Sequence, residues 1–488
     1  MIARTYQAAA RGIFAFALLS VVAVPASAQK LDRDKAPAVG KSPPLRVPTW
    51  TKTKLTNGAD LIVVEKRDLP LIAVNIDFVG GSANYEPADK LGVANFAAQM
   101  LSEGTKTRTA DQLSDAQQLL GTAIQSGVGS ESGTIAFTSL KDKFEPAMAL
   151  LADMLVNSTF PDSSLERNRA RTLVALTQAK DQPNAIATNV FSKVTFGDDH
   201  PYGRVVSDRT VKAITRDDVM AFAKSYFRPG RAIITVSGDI DPKTARAVVE
   251  KTLAAWPAGG ERPSFSYPAV PAPKQRMIYL VDKPKAAQSV FAFGEPGPTR
   301  STPDYYALQV MNRLLGGMFQ SRLNHDIREV KGYSYGVSSA FAYGRGPGAF
   351  RAGGGMVSAK SDSALIGFMT HFKGVQGDMP FSDDEVSMGK ESLIQSLPSR
   401  FSSVNGIAAA ISSLYTQDLP ETYFQDYAAK VNAVTKDDLT RVAKKYVDVD
   451  HMNLVIVGDR ASIEGPLKAT GIAPIQILDV EGHPVLTP

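Results

Sequence analysis

The sequence contains no cysteine, so disulfides, thiolate metal sites and cysteine nucleophiles are excluded together. Histidine is scarce: there are five, His200, His325, His371, His451 and His483. The nearest two stand 46 residues apart (371 − 325). No pair has the i, i+3 or i+4 spacing that turns two imidazoles toward one metal from a helix face. Excess charge is scarce too. Lys and Arg total 54 against 49 Asp and Glu over 488 residues, spread along the chain, and no nucleic-acid partner is implied. The glycine clusters Gly344–Gly348 and Gly353–Gly355 neither end in Gly-Lys-Ser/Thr nor read G-x-G-x-x-G, so they carry no phosphate-binding signature. They are read as a loop and an edge strand.

What is present begins with a targeting pattern. Arg4 and Arg11 precede an apolar run, Ile13 to Val24, and Ala26-Ser27-Ala28 follows. The expectation is a signal peptide over 1–28, cleaved after Ala28, and an exported, periplasmic protein; the alternative is an uncleaved anchor. No span is expected in the mature chain. Residues 29–52 are polar and Pro-rich and read as an extended N-terminal arm.

The remainder reads as α+β. Asn57-Gly58 signals a hairpin; Ala59–Val64 and Ile72–Val79 are β-type. Residues 91–103 are helical, with Val93, Phe96, Ala97, Met100 and Leu101 on one face. After Trp256 the composition shifts: 257–275 (PAGGERPSFSYPAVPAPKQ) has no periodicity and reads as a linker. The pattern then restarts. Residues 215–226 (TRDDVMAFAKSY) match 435–446 (TKDDLTRVAKKY) at an offset of 220 (435 − 215). The same offset carries Gly238-Asp239 onto Gly458-Asp459. Fixed-period self-similarity marks an internal duplication. Two homologous halves are therefore expected, 53–256 and 276–488, each an antiparallel-rich sheet against helices.

Ser321 to Ala340 (SRLNHDIREVKGYSYGVSSA) stands out in the second half. Leu323, Ile327 and Val330 give one apolar helix face, Gly332 ends the helix, and a strand follows. Arg328 and Tyr335 flank the glycine. On these residues alone, an exposed Arg and a half-buried strand Tyr are the plain reading.

Nearly the whole mature chain resembles the pitrilysin-like zinc metallopeptidases, the inverzincins that include mitochondrial processing peptidase. Gly92–Thr105 (GVANFAAQMLSEGT) keeps the frame of the family stretch G-L-A-H-F-L-E-H-M-L-F-x-G-T at Gly92, Ala94, Phe96, Met100, Leu101, Gly104 and Thr105. The H-x-x-E-H positions, however, are Asn95, Ala98 and Gln99. No Glu lies between Glu166 and Glu250, where the family's third ligand falls. The resemblance therefore implies no metal in this chain. Ser321, Arg322, Leu323, Ile327, Arg328, Glu329, Gly332 and Tyr335 match the family's second-half signature S-R-L-x-x-x-(I/L)-R-E-x-x-G-x-x-Y. There the Arg and Tyr bind the substrate backbone and stabilise the transition state. The resemblance implies the metal-free subunit of a heterodimeric peptidase, with zinc in a homologous partner and Arg328 and Tyr335 acting in trans on a peptide. The alternatives are a catalytically inactive peptide-binding scaffold with the same fold, or a hydrolase with another metal site.

Overall fold

The computed structural model describes residues 45–270 and 272–485. The expected signal peptide, and the arm as far as residue 44, lie outside the described residues. Leu45–Pro488 forms one compact unit.

Two six-stranded mixed sheets organise the fold. The first comprises β1 (Thr51–Lys54), β2 (Asp60–Glu65), β3 (Leu71–Val79), β4 (Gln125–Val128), β5 (Ser132–Leu140) and β6 (Ala232–Gly238). The second comprises β7 (Met277–Asp282), β8 (Gln288–Pro296), β9 (Ser334–Ala342), β10 (Ala349–Val357), β11 (Asn453–Gly458) and β12 (Ile475–Leu478). Their orders are β1-β2-β6-β3-β5-β4 and β12-β7-β11-β8-β10-β9. Five strands correspond one to one, each set with one parallel pair (β2/β6 and β7/β11) followed by antiparallel ones. The sheets differ at one edge, where β1 runs antiparallel to β2 but β12 runs parallel to β7. Both inner strands β6 and β11 are buried along their whole length, as a strand covered on both faces must be.

The 220-residue offset recurs in three dimensions. Thr215 and Thr435 cap their helices with backbone angles of −101°/167° and −100°/166°. Each hydroxyl accepts the N–H three residues on, at 3.2 and 3.1 Å, and each Asp returns to the Thr N–H. The result is the same reciprocal capping box twice.

Two helices absent from the sequence reading lock the halves together. Pro183–Phe196 belongs to the first half but packs Ile186, Ala187, Val190 and Phe191 against Val290, Ala292, Val455 and Val457 of the second sheet. Val404–Thr416 belongs to the second half but lies on the first sheet, with Val404 and Ala408 against Ala73. Their last residues are again 220 apart (416 − 196). Buried hydrogen bonds follow the same exchange: Ser412 donates to Asp77, and Asn453 Nδ2 donates to Thr195 Oγ1 at 3.3 Å. Where described, 257–275 carries neither helix nor strand.

Candidate functional site

The Val93–Gln99 helix starts at Gly92, whose φ of +105° suits glycine. Its first amides are satisfied by the Glu86 carboxylate, which accepts from Gly92 N–H at 3.0 Å and Ala94 N–H at 2.8 Å. Burial raises the Glu86 pKa, and those two hydrogen bonds offset the rise only in part. Val93, Phe96 and Ala97 are buried as expected, and so is Ala98. Asn95 and Gln99 are exposed, one helical turn apart on the same face. That is the face on which two imidazoles would have to stand. Neutral amides do not replace imidazole toward zinc, and an Ala methyl cannot take a proton from water. The residues therefore do not fit a zinc ion. Among the described residues no group of three His, Cys, Asp or Glu could hold a metal.

The histidines serve other purposes. His200 is buried, and its Nδ1 accepts from Tyr202 N–H at 3.1 Å. His371 Nε2 lies 3.1 Å from Asp326, His451 Nδ1 lies 2.8 Å from Asp448, and His483 Nδ1 lies 3.3 Å from Asp479. His325 is exposed.

The second-half signature divides into anchors and exposed groups. Arg322 grips Glu385 with two nitrogens, at 2.7 and 2.8 Å, and stacks over Phe381 at 4.3 Å. The Arg322 hydrogen bonds lower the Glu385 pKa. Asn324 ties the turn to β9: its Nδ2 donates to Phe319 O at 2.7 Å and its Oδ1 accepts from Val337 N–H at 3.1 Å. Leu323 and Ile327 are fully buried. Val330 is not; it is 66% exposed, contrary to the sequence spacing. The reason is local. His325–Val330 is a π-type turn, with Lys331 N–H reaching back five residues to Asp326 O. The extra residue per turn rotates Val330 off the apolar face, and such π-turns concentrate at functional sites. Gly332 ends the turn at φ +65°, as expected.

Tyr335 is presented outward, whereas Arg328 is half-buried rather than exposed. The Arg328 guanidinium sits 4.4 Å above the exposed Phe319 ring and donates to the neighbouring Glu329. Tyr335 is 90% exposed on β9, not half-buried. A register shift between Gly354 and Met356 interrupts the β9–β10 ladder next to it. Ser334, between Gly332 and Gly336 in a G-x-S-x-G string, is not a nucleophile elbow. It lies in a strand, and its hydroxyl bonds Gly355 O at 2.7 Å and Gly336 O at 2.9 Å. No hydrogen bond joins Arg328 to Tyr335 among the described residues. Phe319, Val330 and Tyr335 are large exposed side chains of this junction.

The Gly344–Gly348 loop is the β9–β10 turn. Its Arg345 N–H donates to Glu131 at 3.0 Å and its Gly346 N–H to Tyr202 OH at 3.3 Å. A Cβ on Gly346 would meet the Tyr267 ring at 2.7 Å. The glycine there permits close packing of the hairpin on the 257–275 segment.

Residues 62–206 match the model of the insulinase family, peptidase family M16, and residues 213–393 match the model of the peptidase M16 inactive domain. An uncharacterized zinc protease of Bacillus subtilis is 25% identical over 285 residues, 58% of this chain and 68% of that one. One from Mycobacterium leprae is 28% identical over 265 residues, and the alignment spans 59% of its length. A crystal structure of a peptidase M16 inactive domain from Pseudomonas fluorescens superposes with a TM-score of 0.76 at 26% identity, covering 84% of this chain and 98% of that one. A Helicobacter pylori protease shares the fold, with a TM-score of 0.76 at 17% identity. The two family models together cover about two thirds of the chain and reach into both halves of the duplication, and on that ground the chain belongs to the M16 peptidase family.

Proposed function

We infer that this chain is the non-zinc-binding subunit of a heterodimeric M16 peptidase. A homologous subunit carries the zinc, and this one contributes Arg328 and Tyr335 to an unfolded peptide enclosed between them. The observation that carries the reading is the asymmetry of the two signatures. The first half presents Asn95 and Gln99 where ligands would stand, while the second holds a half-buried Arg328 and an exposed Tyr335 on an anchored frame. The guanidinium and phenol can each donate to a peptide carbonyl oxygen as it gains negative charge, the interaction that lowers the barrier to acyl attack. The match to an inactive-domain model and the exposed Phe319, Val330 and Tyr335 support a partner-dependent role. The same reading places the protein in the periplasm after removal of 1–28, for which the mature N-terminus at Gln29 is the check.

Mixing tests the proposal. The purified chain should bind no zinc and cleave no peptide, and cleavage should appear when a zinc-bearing M16 homologue from the same cell is added. Peptide cleavage by this chain alone would refute it. A mixture as inactive as either component would favour a peptide-binding scaffold.

A further inference from the structure

A cavity of about 600 Å³ opens between the halves. Leu91, Phe191, Phe196 and Arg204 line it from the first half, and Ala342 and Arg351 from the second. Glu86, which caps the Val93–Gln99 helix, lines one side. On the other side lie the last residues of β9, the strand that begins at Ser334 and displays Tyr335. At ~3.3 Å per residue, Ala342 stands about 23 Å along that strand from Tyr335.

The cavity holds two carboxylates and two guanidiniums, and no salt bridge joins them among the described residues. Its two carboxylates are already used: Glu86 by Gly92 and Ala94 N–H, Glu131 by Tyr202 OH and Arg345 N–H. Its two guanidiniums are not. Arg351 has one hydrogen bond, to Thr188 Oγ1 at 3.0 Å, and lies over the Phe191 ring at 5.5 Å. Arg204 bonds only the Asp199 carbonyl, at 3.1 Å. Neither makes a salt bridge among the described residues, although each carries five N–H donors. Burial lowers the Arg351 pKa, a cost that a bound anion would remove.

We propose that this cavity is a peptide subsite that takes an apolar side chain next to a carboxylate, held by Arg204 and Arg351. The carboxylate is either the peptide's C-terminus or an acidic side chain. The proposal rests on the peptide-binding role inferred above, but binding to the isolated chain is measured without catalysis, so the two can fail separately.

Three eight-residue peptides of Ala and Ser with a terminal Phe form the test set: one with a free C-terminus, one amidated, and one amidated with a Glu before the Phe. Their affinities for the full chain are measured by fluorescence anisotropy. The free acid, the Glu peptide or both should bind roughly 10- to 100-fold more tightly than the neutral amide, the scale of charge-assisted hydrogen bonds. The preference should weaken as salt rises. A preference of the free acid identifies the terminus as the ligand; a preference of the Glu peptide identifies the side chain. Arg351→Gln and Arg204→Gln, checked for unchanged melting, should each erase most of the preference. Equal binding of all three peptides, no binding of any, or a preference that survives both substitutions would overturn the proposal.

Discussion

The Val93–Gln99 helix and the Ser321–Tyr335 stretch sit in corresponding halves of a duplicated fold, and their outward faces differ. The helix keeps a buried face of Val93, Phe96 and Ala97 and shows solvent two amides. The stretch keeps buried Leu323 and Ile327, a gripped Arg322, a half-buried Arg328 and an exposed Tyr335. Packing therefore preserves a motif's frame whether or not its chemistry remains. Frame residues identify the fold, and exposed residues identify the function. If that is right, substitutions in frames should cost stability, and substitutions on outward faces should cost activity or nothing.

The largest effect is expected where the halves interlock. Ile186→Ala and Ile411→Ala each empty a fully buried site on an exchanged helix and should cost about 2–5 kcal/mol in urea unfolding. Because each helix packs on the other half's sheet, the losses should appear in one cooperative transition. Two separate transitions would show the halves to be independent. Next, Arg322→Ala should cost about 2 kcal/mol by breaking a charged, paired hydrogen bond, while Arg328→Ala, six residues on, should leave the melt unchanged. Equal losses would dissolve the division into anchors and outward groups.

A pH effect distinguishes another anchor. Burial raises the Asp304 pKa, but hydrogen bonds from Arg441, Lys445 and Tyr446 outweigh it and hold the carboxyl at about 2. A folded pKa below the unfolded one gives stability that is present above the unfolded value of 3.8 and lost as pH falls toward 2. Asp304→Asn should flatten that acid limb and leave the slope above pH 5 unchanged. The smallest effect concerns the duplicated caps. Thr215→Ala and Thr435→Ala should each cost about 1 kcal/mol and should match closely, since the two geometries coincide.

Much of this was legible in the residues. The capped repeats gave the duplication because hydroxyl, carboxylate and spacing recur together. The buried face of Val93–Gln99 followed from its periodicity. The exchanged helices did not follow. Pro183–Phe196 is rich in β-branched and aromatic residues (Ile186, Thr188, Val190, Phe191, Val194, Thr195) that favour strands as much as helices. Only packing on a foreign sheet settles its form. Val330 was misplaced because a π-turn leaves no trace in apolar spacing. The Arg204–Arg351 cavity joins residues 147 apart (351 − 204), and no local pattern links them.

The central claim is that the catalytic contribution of this chain lies in Arg328 and Tyr335. The most direct test is kcat for peptide cleavage by the mixture with the zinc-bearing subunit, comparing wild type, Arg328→Ala, Tyr335→Phe and, as a control, Asn95→Ala/Gln99→Ala. The account predicts a roughly 10- to 1000-fold loss for each of the first two and wild-type activity for the control. Full activity with Arg328→Ala and Tyr335→Phe would contradict it.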